Sequence, residues 1–287
     1  MKSKMKIGVI VSTYNSPELL EKTLYGYSYQ IRPADEIIIA DDGSSEETKF
    51  LIEKFADLLP IKHIWHEDIG FSKNIILNKA LIAAQSEYLI FTDQDCIPKK
   101  DFVQIHEKYA KTGCFLSGSY NNLNEALSKK ITKYDISLGR AFNFAWLCRN
   151  GIKISANSLR IIISGYNFLS RFLDSITPYD AIFKGCNASC FKDDALFING
   201  FNEGMTYGGE DKEFGVRLSN AGIKRKHIRF STVLLHLYHD KPYADPVLIA
   251  QNKTFRHNVK KQKITKTPNG IEKLDADVLN KTKISTR

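Results

Sequence analysis

The sequence predicts an α/β fold whose mostly parallel sheet is flanked by helices. Over the first 120 positions, short β-branched runs alternate with amphipathic segments of about 12 residues, which is the pattern of repeated βα units. Polar residues gather where each run ends, at the edge where open α/β sheets bind ligands. With 287 residues and 43% hydrophobic composition, the chain can bury a large core.

Four strands are predicted in this part, each running into polar residues: KIGVIVSTYN, DEIIIADDGSS, IKHIWHED and EYLIFTDQD. Three helices are predicted between them: SPELLEKTLYGYSYQ, SEETKFLIEKFADLL and GFSKNIILNKALIAAQ. The first begins with Ser16 as a cap and Pro17 at the first helical position. A helix in KKDFVQIHEKYAK and a strand in CFLSGSY follow.

The second half of the chain departs from this alternation. Residues 121–180 mix aromatic, aliphatic and arginine residues and predict a helical insertion. Regular structure is expected again in FKGCNASCFKDDALFINGFNEG, in a GGEDKEFGVRLSNAG helix and in a STVLLHLYHD strand. Beyond about residue 250, the polar, lysine-rich sequence predicts a frayed helix or a disordered tail. The expected divisions are therefore 1–120, 121–180, 181–247 and 248–287.

The net charge of +9 is unevenly distributed. Residues 251–287 contain ten basic and three acidic residues, residues 121–184 contain nine and four, and the remainder sums to −3. Such basic segments suit an anionic membrane surface, although a solvated basic tail is the simpler alternative for the last one. Nucleic-acid binding is not expected, because the charge lies outside the predicted site and no nucleic-acid motif occurs.

The five cysteines form no CxxC pair, and the CxxxC spacing of CNASC has no partner at zinc-ligand spacing. Reduced, structural cysteines are expected, which suits a cytoplasmic protein. The apolar run in MKSKMKIGVIVSTYN is too short for a signal peptide. No segment approaches the roughly 18 apolar residues of a membrane span.

VSTYN and ADDGSS, at two strand ends, are compatible with a nucleoside pocket. Tyr14 could stack on a base and Asp42 could accept a hydrogen bond from a base N–H. The alternative is a helix cap with a strand-end turn.

TDQDC places Asp93 and Asp95 two positions apart at another strand end. Such carboxylates can share a Mg²⁺ or Mn²⁺ ion that also binds diphosphate oxygens and neutralises charge on a leaving group. A solvated acidic turn is the alternative.

YGGEDKEFGVRL places Glu210 and Asp211 after two glycines, which permit a close backbone approach at the start of a helix. A carboxylate there could deprotonate a hydroxyl nucleophile. An ordinary acid-rich helix start is the alternative.

LLHLYHD offers His236 and His239 as further metal ligands. The period of two in a strand would place them on opposite faces, so only one of them is expected in the site. A hydrogen-bonded core histidine is the alternative.

In this order, VSTYN, DEIIIADDGSSEET, FTDQDCIP, NASCFKDDALFINGFNE, YGGEDKEFGVRL and HLYHD resemble the inverting family 2 glycosyltransferases of the Rossmann-like GT-A fold. The later motifs are similar to the catalytic half shared by galactosyltransferases and N-acetylgalactosaminyltransferases. The resemblance covers roughly residues 5–120 and 180–245, and it is specific as an ordered set although each motif is weak alone.

The resemblance implies a role for each matched residue. Four match donor-nucleotide positions: Ser12, Tyr14, Asn15 and Asp42, the last as the partner of uracil. Asp93 would lie near the donor ribose, sugar and metal, and Asp95 would coordinate Mn²⁺ or Mg²⁺. His236 matches the third metal ligand, with His239 as the alternative. Asp211 matches the catalytic base, and Glu210 would contact a sugar.

One motif departs from the family pattern. Where members often carry GFR…RNKA, this chain reads GFSKNIILNKA, so Ser72 and Leu77 replace two arginines. Asn78 is retained as a donor-site residue, and Lys73 is expected to substitute for a missing arginine.

The resemblance implies a UDP-sugar donor, a glycan or lipid-linked glycan acceptor and direct displacement by a hydroxyl that Asp211 deprotonates. Synthesis of a bacterial surface polysaccharide, lipopolysaccharide or capsule is the expected setting. Residues 121–180 are expected to recognise the acceptor or touch the inner membrane face; packing on the sheet is the alternative. A sugar-phosphate nucleotidyltransferase would need a glycine-rich basic loop that VSTYNSPE lacks, and a non-catalytic sugar-nucleotide-binding module would not need the intact carboxylates.

Overall fold

The computed structural model describes residues 5–179, 182–240 and 244–273. The predicted alternation is confirmed in the first part of the chain. The strands are β1 (Ile7–Thr13), β2 (Glu36–Asp41), β3 (Ile61–Trp65) and β4 (Tyr88–Asp93). The helices between them are α1 (Pro17–Ser28), α2 (Glu46–Ala56) and α3 (Lys73–Ala83).

The elements that follow are shorter. They are β5 (Cys96–Pro98), α4 (Phe102–Tyr109), β6 (Cys114–Ser117) and β7 (Ser119–Asn122). The insertion contains α5 (Glu125–Lys130), α6 (Lys133–Ser137), a 3-10 turn (Arg140–Phe142), α7 (Phe144–Arg149), α8 (Ala156–Ile163) and α9 (Phe168–Ile176). The rest comprises β8 (Ala188–Phe191), α10 (Lys192–Phe197), α11 (Glu210–Asn220), β9 (Lys224–His227), β10 (Val233–His236) and α12 (Pro246–Lys261).

Within the described residues, a seven-stranded sheet has the order β3-β2-β1-β4-β8-β6-β9. The first four strands are parallel, and β8 runs antiparallel to both β4 and β6. Every residue of β1 is buried, because helices cover both faces of the sheet and strands pair on both of its edges. The ends of β1, β2 and β4 therefore bring Ser12, Asp41 and Asp93 to one edge.

A second, three-stranded sheet has the order β5-β10-β7. Its β10 pairs antiparallel with β5 and parallel with β7, so that His236 lies opposite Cys96. A separate apolar core forms where the insertion helices pack on this sheet, through Leu127, Leu147 and Ile161 against Val233 and Leu235 among others. The small sheet thus supports the insertion on one side and the site on the other.

The predicted strand CFLSGSY is divided between the two sheets. β6 belongs to the large sheet and β7 to the small one, and the chain changes sheet at Gly118. A Cβ at Gly118 would lie 2.3 Å from Asn187 Oδ1, and the Gly118 N–H donates to the Asn187 carbonyl. Glycine is required here because a Cβ would overlap the buried side chain of Asn187, which is held by its hydrogen bond to the Ser119 carbonyl.

Beyond residue 250 the prediction of a frayed helix or a disordered tail is correct in that a helix, α12, continues to Lys261, and wrong in that the chain up to residue 273 is neither frayed nor disordered. Helix α12 is capped by Asp245, whose carboxylate accepts from the Val247 N–H, and it packs along α11. The side-chain amide of Asn220 donates to the carbonyls of Val259 and Ile264, which fastens the helix end. The remaining basic residues of the predicted tail, 274–287, lie outside the described residues.

Among the described helices, none combines the length and the hydropathy that crossing a lipid bilayer requires.

Candidate active site

A cavity of about 640 Å³ opens at the edge where β1, β2 and β4 end. Its size lies within the range of about 300–1,000 Å³ that is typical of small-molecule sites. The structure brings most of the predicted site residues together on its wall: Ser12, Tyr14, Asn15, Asp42, Lys73, Asp93, Asp95, His236 and His239. Residues that are far apart in sequence therefore share one site.

Asp93 is held by two side chains at the end of β4. Ser12 Oγ donates to Asp93 Oδ1 at 2.6 Å, and Lys73 Nζ lies 2.6 Å from the same oxygen. Burial alone would lower the pKa of Lys73, but the carboxylates of Asp93, Glu210 and Asp211 outweigh burial and raise it. Lys73 therefore remains charged in the cavity wall, where it can bind an anionic group.

Both candidate histidines face Asp95. The distance to Asp95 Oδ2 is 2.8 Å from His239 Nε2 and 3.6 Å from His236 Nε2. The expectation that only one histidine joins the site is wrong, because β10 ends at His236 and the strand period does not continue to His239. Burial would raise the pKa of Asp95, but the hydrogen bond from His239 and the charge of His236 lower it to about 2.

This group has the donor atoms of a divalent-cation site. His236 Nδ1 lies 3.1 Å from the Leu237 carbonyl and His239 Nδ1 lies 2.9 Å from the Asp240 carbonyl, so each Nδ1–H has an acceptor. Both Nε2 atoms are then directed at Asp95, the orientation that ligating histidines adopt. Ligands about 2.1 Å from one ion lie about 3 Å apart when adjacent, which is close to the separations of the two Nε2 atoms from Asp95 Oδ2. The residues present therefore fit a cation.

Cys96 acts on Asp95 as a hydrogen-bond donor. Its Sγ lies 3.1 Å from Asp95 Oδ1, and burial, followed by a hydrogen bond with Cys186, raises the pKa of the thiol. A protonated, buried thiol is a poor metal ligand. Cys96 thus orients the carboxylate, in keeping with the structural role expected for it, and all five cysteines are free.

Asp42 lines the cavity but already has partners. Ser72 donates to it twice, from Oγ to Oδ1 at 2.6 Å and from N to Oδ2 at 3.1 Å, and His66 Nε2 lies 2.7 Å from Oδ1. Oδ2 keeps a lone pair that can accept from a base N–H. Ser72, which stands where an arginine was expected, therefore positions Asp42. His66 was not predicted, since nothing in IKHIWHED distinguishes it from a strand-end histidine.

The loop after β1 is fixed by Gln94. Its Oε1 accepts from the Tyr14 N–H at 2.9 Å and its Nε2 donates to the Tyr14 carbonyl at 3.1 Å. The Tyr14 ring is 43% exposed, and its hydroxyl donates to Asp68, which, more than burial, raises the Tyr14 pKa. Asn15 has a left-handed backbone (φ 42°) and its side chain accepts from the Ser45 N–H. The ring of Tyr14 is therefore presented to the cavity by a rigid loop.

Two aromatic residues of the wall were not predicted. Phe71 and Tyr207 contact each other edge to face, with ring centroids 6.0 Å apart. Phe71 lies within the GFSK motif and Tyr207 within YGGED, so an aromatic residue in each motif was the available indication.

Glu210 and Asp211 open α11 after Gly208 and Gly209, both of which have positive φ. Asp211 Oδ2 accepts from the Gly185 N–H at 2.9 Å. Burial, and then the charge of Asp211, raises the pKa of Glu210. Neither carboxylate lines the donor cavity, but both act on Lys73, which does.

Tyr120 packs beside His236 and lies within electrostatic range of Asp211. The centroid of the Tyr120 ring lies 5.6 Å from that of His236 and 5.7 Å from Lys184 Nζ. Burial, then Cys186 and Asp211, raises the pKa of Tyr120 to about 12. Tyr120 was not predicted, because a tyrosine in a short strand carries no motif.

The assignment of Asn78 to the donor site is wrong. Its side chain is buried and does not line the cavity. The amide donates to the Phe201 carbonyl and to Glu203, and its oxygen accepts from the Phe201 N–H. Asn78 therefore fastens the segment after α10 to α3.

The mixed sheet, with its site at the strand ends, has the GT-A fold. The structure superposes on TarS 1-349 of S. aureus in complex with UDP-GlcNAc with a TM-score of 0.61, at 17% identity, covering 96% of this chain and 70% of that one. It superposes on the mannosyltransferase PcManGT of Pyrobaculum calidifontis, in complex with GDP-Man and Mn²⁺, with a TM-score of 0.56, at 17% identity, covering 91% and 72%. At these identities the likeness establishes the fold.

Sequence comparison gives the family. The profile of Glycosyl transferase family 2 matches residues 8–170, and that of the N-terminal domain of galactosyltransferase matches residues 169–240. The chain belongs to glycosyl transferase family 2.

Two relatives are similar over most of this chain. It is 26% identical to chondroitin synthase of Escherichia coli over 258 residues, which is 82% of this chain and 35% of that protein. It is also 26% identical to validoxylamine A glucosyltransferase of Streptomyces hygroscopicus subsp. limoneus over 230 residues, which is 76% of this chain and 48% of that protein. The match therefore spans less than half of each relative.

Proposed function

We propose that the chain transfers a hexose or N-acetylhexosamine from a UDP-sugar to a hydroxyl of a glycan acceptor, in the synthesis of a bacterial surface polysaccharide, lipopolysaccharide or capsule. The observation that carries this proposal is the meeting of Lys73, Asp93, Asp95 and His236 at one cavity beyond β1 and β4. The names of the two sequence relatives, a glycan synthase and a glucosyltransferase, support the same reaction class.

The donor would lie along the cavity. The free lone pair of Asp42 Oδ2 is placed for a base N–H, and the Tyr14 ring is exposed for stacking on the base. Lys73 provides a cation for the diphosphate in place of the missing arginine. The complex of TarS with UDP-GlcNAc supports a UDP-linked donor.

Asp95, His236 and His239 would hold the divalent cation. The mixed oxygen and nitrogen donors fit Mn²⁺ better than Mg²⁺, which prefers oxygen ligands alone, and the Mn²⁺ complex of PcManGT supports this choice. Such an ion supplies positive charge to a leaving diphosphate. The residues of the chain keep the ligands oriented: Cys96 donates to the carboxylate and two backbone carbonyls fix the imidazoles.

Asp211 would act as general base. The acceptor hydroxyl loses its proton to Asp211 as its oxygen bonds to the anomeric carbon, and the bond from that carbon to the diphosphate oxygen breaks with its electron pair leaving on UDP. A single displacement of this kind inverts the configuration. Asp211 does not line the donor cavity; it accepts from the Gly185 N–H, and its charge helps to raise the pKa of Tyr120. We therefore expect the acceptor to enter on the side of Gly185 and Tyr120.

The proposed partner is a glycan or lipid-linked glycan, and the proposed location is the cytoplasm at the inner face of an anionic membrane. Glu210, whose charge acts on Lys73, would contact a sugar. The sugar-phosphate nucleotidyltransferase alternative is not supported, since the loop after β1 contains neither a glycine nor a basic residue. The alternative of a non-catalytic module predicts binding without turnover, which an assay distinguishes.

A donor panel tests the proposal. UDP-Gal, UDP-Glc, UDP-GalNAc, UDP-GlcNAc, GDP-sugars and dTDP-sugars are incubated with the chain, with Mn²⁺ or with chelator, and nucleotide release is measured. We expect Mn²⁺-dependent release from at least one UDP-sugar. Binding of every donor without release, at saturating acceptor glycans, would favour the non-catalytic module.

A further inference from the structure

Helix α9 directs its apolar side chains outward. Phe168 is 83% exposed, and Leu169, Phe172 and Ile176 are 50%, 47% and 56% exposed. At about 100° per residue, these four positions lie within one arc of about 100°. The rings of Phe168 and Phe172 are stacked at 6.1 Å and 8°. The four side chains therefore form one aligned face.

The polar side of α9 packs inward, which is the reverse of an ordinary surface helix. Ser170 is fully buried and donates to the Gly165 carbonyl. Asp174 accepts from the backbone N–H groups of Phe230 and Ser231 at 2.9 and 3.1 Å, and from Ser231 Oγ at 2.6 Å. These bonds fix the rotation of the helix about its axis, so the apolar side chains cannot turn inward without breaking them.

Apolar side chains are also exposed in residues 154–166, the segment before α9. In α8, Leu159 and Ile162 are exposed three positions apart, while Ile161 is buried. Ile154 before α8 and Tyr166 after it are also exposed. We call these exposed side chains of residues 154–176 the α8–α9 apolar face.

Three basic side chains near this face lie over tyrosine rings. Lys108 Nζ lies 4.4 Å and the Arg171 guanidinium 5.0 Å from the centroid of Tyr166. Lys226 Nζ lies 4.5 Å from the centroid of Tyr109, which is 5.5 Å from that of Tyr166. Within the described part of the chain, none of these three cations forms an ion pair. Among the carboxylates that the structure describes, none therefore pairs with these cations.

Two arginines extend the same pattern. Arg160 and Arg229 lie 5.4 and 5.3 Å from the centroid of Phe230, whose backbone N–H binds Asp174 of α9. The Nε atoms of both arginines are buried, and neither has a hydrogen-bond partner among the described residues. Burial, and then the charge of Arg229, lowers the pKa of Arg160. Two arginines thus lie near Asp174, on the inward side of α9.

We propose that the α8–α9 apolar face docks on the surface of an anionic lipid bilayer. Exposed phenylalanine and aliphatic side chains enter the interface between headgroups and acyl chains, while flanking cations attract anionic headgroups. Tyr109 and Tyr166 suit the interfacial depth that aromatic residues prefer. A second copy docked by a twofold axis on this face would bring like cations together, so a bilayer fits the charges better.

Vesicle sedimentation tests this docking without donor or acceptor, so its outcome is independent of the proposed transferase activity. The full chain is mixed with vesicles of phosphatidylcholine alone or of phosphatidylcholine with phosphatidylglycerol. We expect binding to the anionic vesicles only, weakened by added salt. The variant Phe168→Ser/Phe172→Ser should bind at least about tenfold less, and Lys108→Glu/Arg171→Glu should also lose binding.

The control is Phe50→Ser/Phe197→Ser, which removes two phenylalanines that are 57% and 56% exposed on α2 and α10. It should bind like the unaltered chain. Circular dichroism melts should be unchanged in every variant because the altered side chains are exposed. Equal binding to both vesicle types, or an equal loss in the control, overturns the proposal. So does a dimer in sedimentation velocity that Phe168→Ser/Phe172→Ser dissociates while vesicle binding is absent.

Discussion

Lys73 Nζ lies 2.6 Å from Asp93 Oδ1, so the first turn of α3 is tied to the end of β4. The same oxygen accepts from Ser12 at the end of β1. Three elements of the large sheet layer therefore meet at one carboxylate atom. Because Asp93 lines the cavity, it fixes the positions of the Lys73 ammonium group and the Ser12 hydroxyl before any ligand binds.

Lys73→Met should weaken UDP binding by about 10- to 100-fold, because a charge-assisted hydrogen bond contributes about 1.5–3 kcal/mol. Isothermal titration with UDP measures the change. Lys49→Met, which removes an exposed lysine on α2, is the control and should bind normally. Unchanged affinity in Lys73→Met would remove Lys73 from the donor site.

Asp211→Asn should lower turnover by about 10²- to 10⁴-fold, the range for loss of a general base, while UDP affinity stays within about twofold. The asparagine oxygen can still accept from Gly185, so the turn is preserved. Turnover of the active donor is compared with that of Asp193→Asn, in which an exposed acid at the start of α10 is neutralised. Retained turnover would rule out Asp211 as the base.

His236→Ala and His239→Ala should each weaken Mn²⁺-dependent UDP binding by at least about tenfold, since both Nε2 atoms face Asp95 Oδ2. UDP titrations with Mn²⁺ and with chelator give the metal-dependent part of the affinity. His257→Ala changes an exposed histidine of α12 and serves as the control. If only one of the two site variants responds, the other histidine is not a ligand.

Acid should destabilise the fold between pH 6.5 and about 4 through His106. Burial lowers its pKa from 6.5 to about 4, although a hydrogen bond with Asn187 opposes the shift. The unfolded chain binds more protons in this window, so the free energy of unfolding falls as pH falls, by about 3 kcal/mol in total. Urea unfolding across this range measures it. His106→Gln should have a shallower pH dependence than the unaltered chain, whereas His257→Gln should not.

Arg217→Met should lower the free energy of unfolding by about 3–5 kcal/mol, because it leaves the buried charge of Glu213 without its partner. The two side chains are fully buried and joined by bonds of 2.7 and 2.9 Å. Arg217→Met/Glu213→Leu should recover most of the loss in urea unfolding. An equal loss in the double variant would assign the effect to packing or to the bond from Arg217 to the Ile198 carbonyl.

The strand-end residues could be predicted because the βα alternation determines which residues reach the ligand-binding edge. Asp93 and Asp42 were predicted in this way, whereas Lys73, at the start of α3, was predicted from the departure of GFSKNIILNKA from the family pattern. Their partners could not be found, because tertiary packing chooses them: His66 is 24 residues from Asp42, and Gln94 is 80 residues from Tyr14. The sequence around one residue of such a pair does not indicate which distant residue will contact it.

The structure also differs from the prediction where the sequence does not show the end of a strand or the packing of a helix. Strand β10 ends at His236, so the alternation of side chains between the two faces of a strand does not apply to His239, whose side chain reaches Asp95. Helix α12 buries few of its side chains, among them Asn252 and Val259, so its hydrophobic pattern is weak although it packs on α11.

The chain crosses from β4 to β5 through Gln94 and Asp95 alone, so two residues separate the large sheet from the small one. A ligand that displaces Asp95 pulls on both sheets, since the Leu237 N–H is bonded to the Asp95 carbonyl. The small sheet also carries the insertion helices. Any shift of Asp95 would therefore be passed through a two-residue connection to the small sheet and to the insertion helices that pack on it.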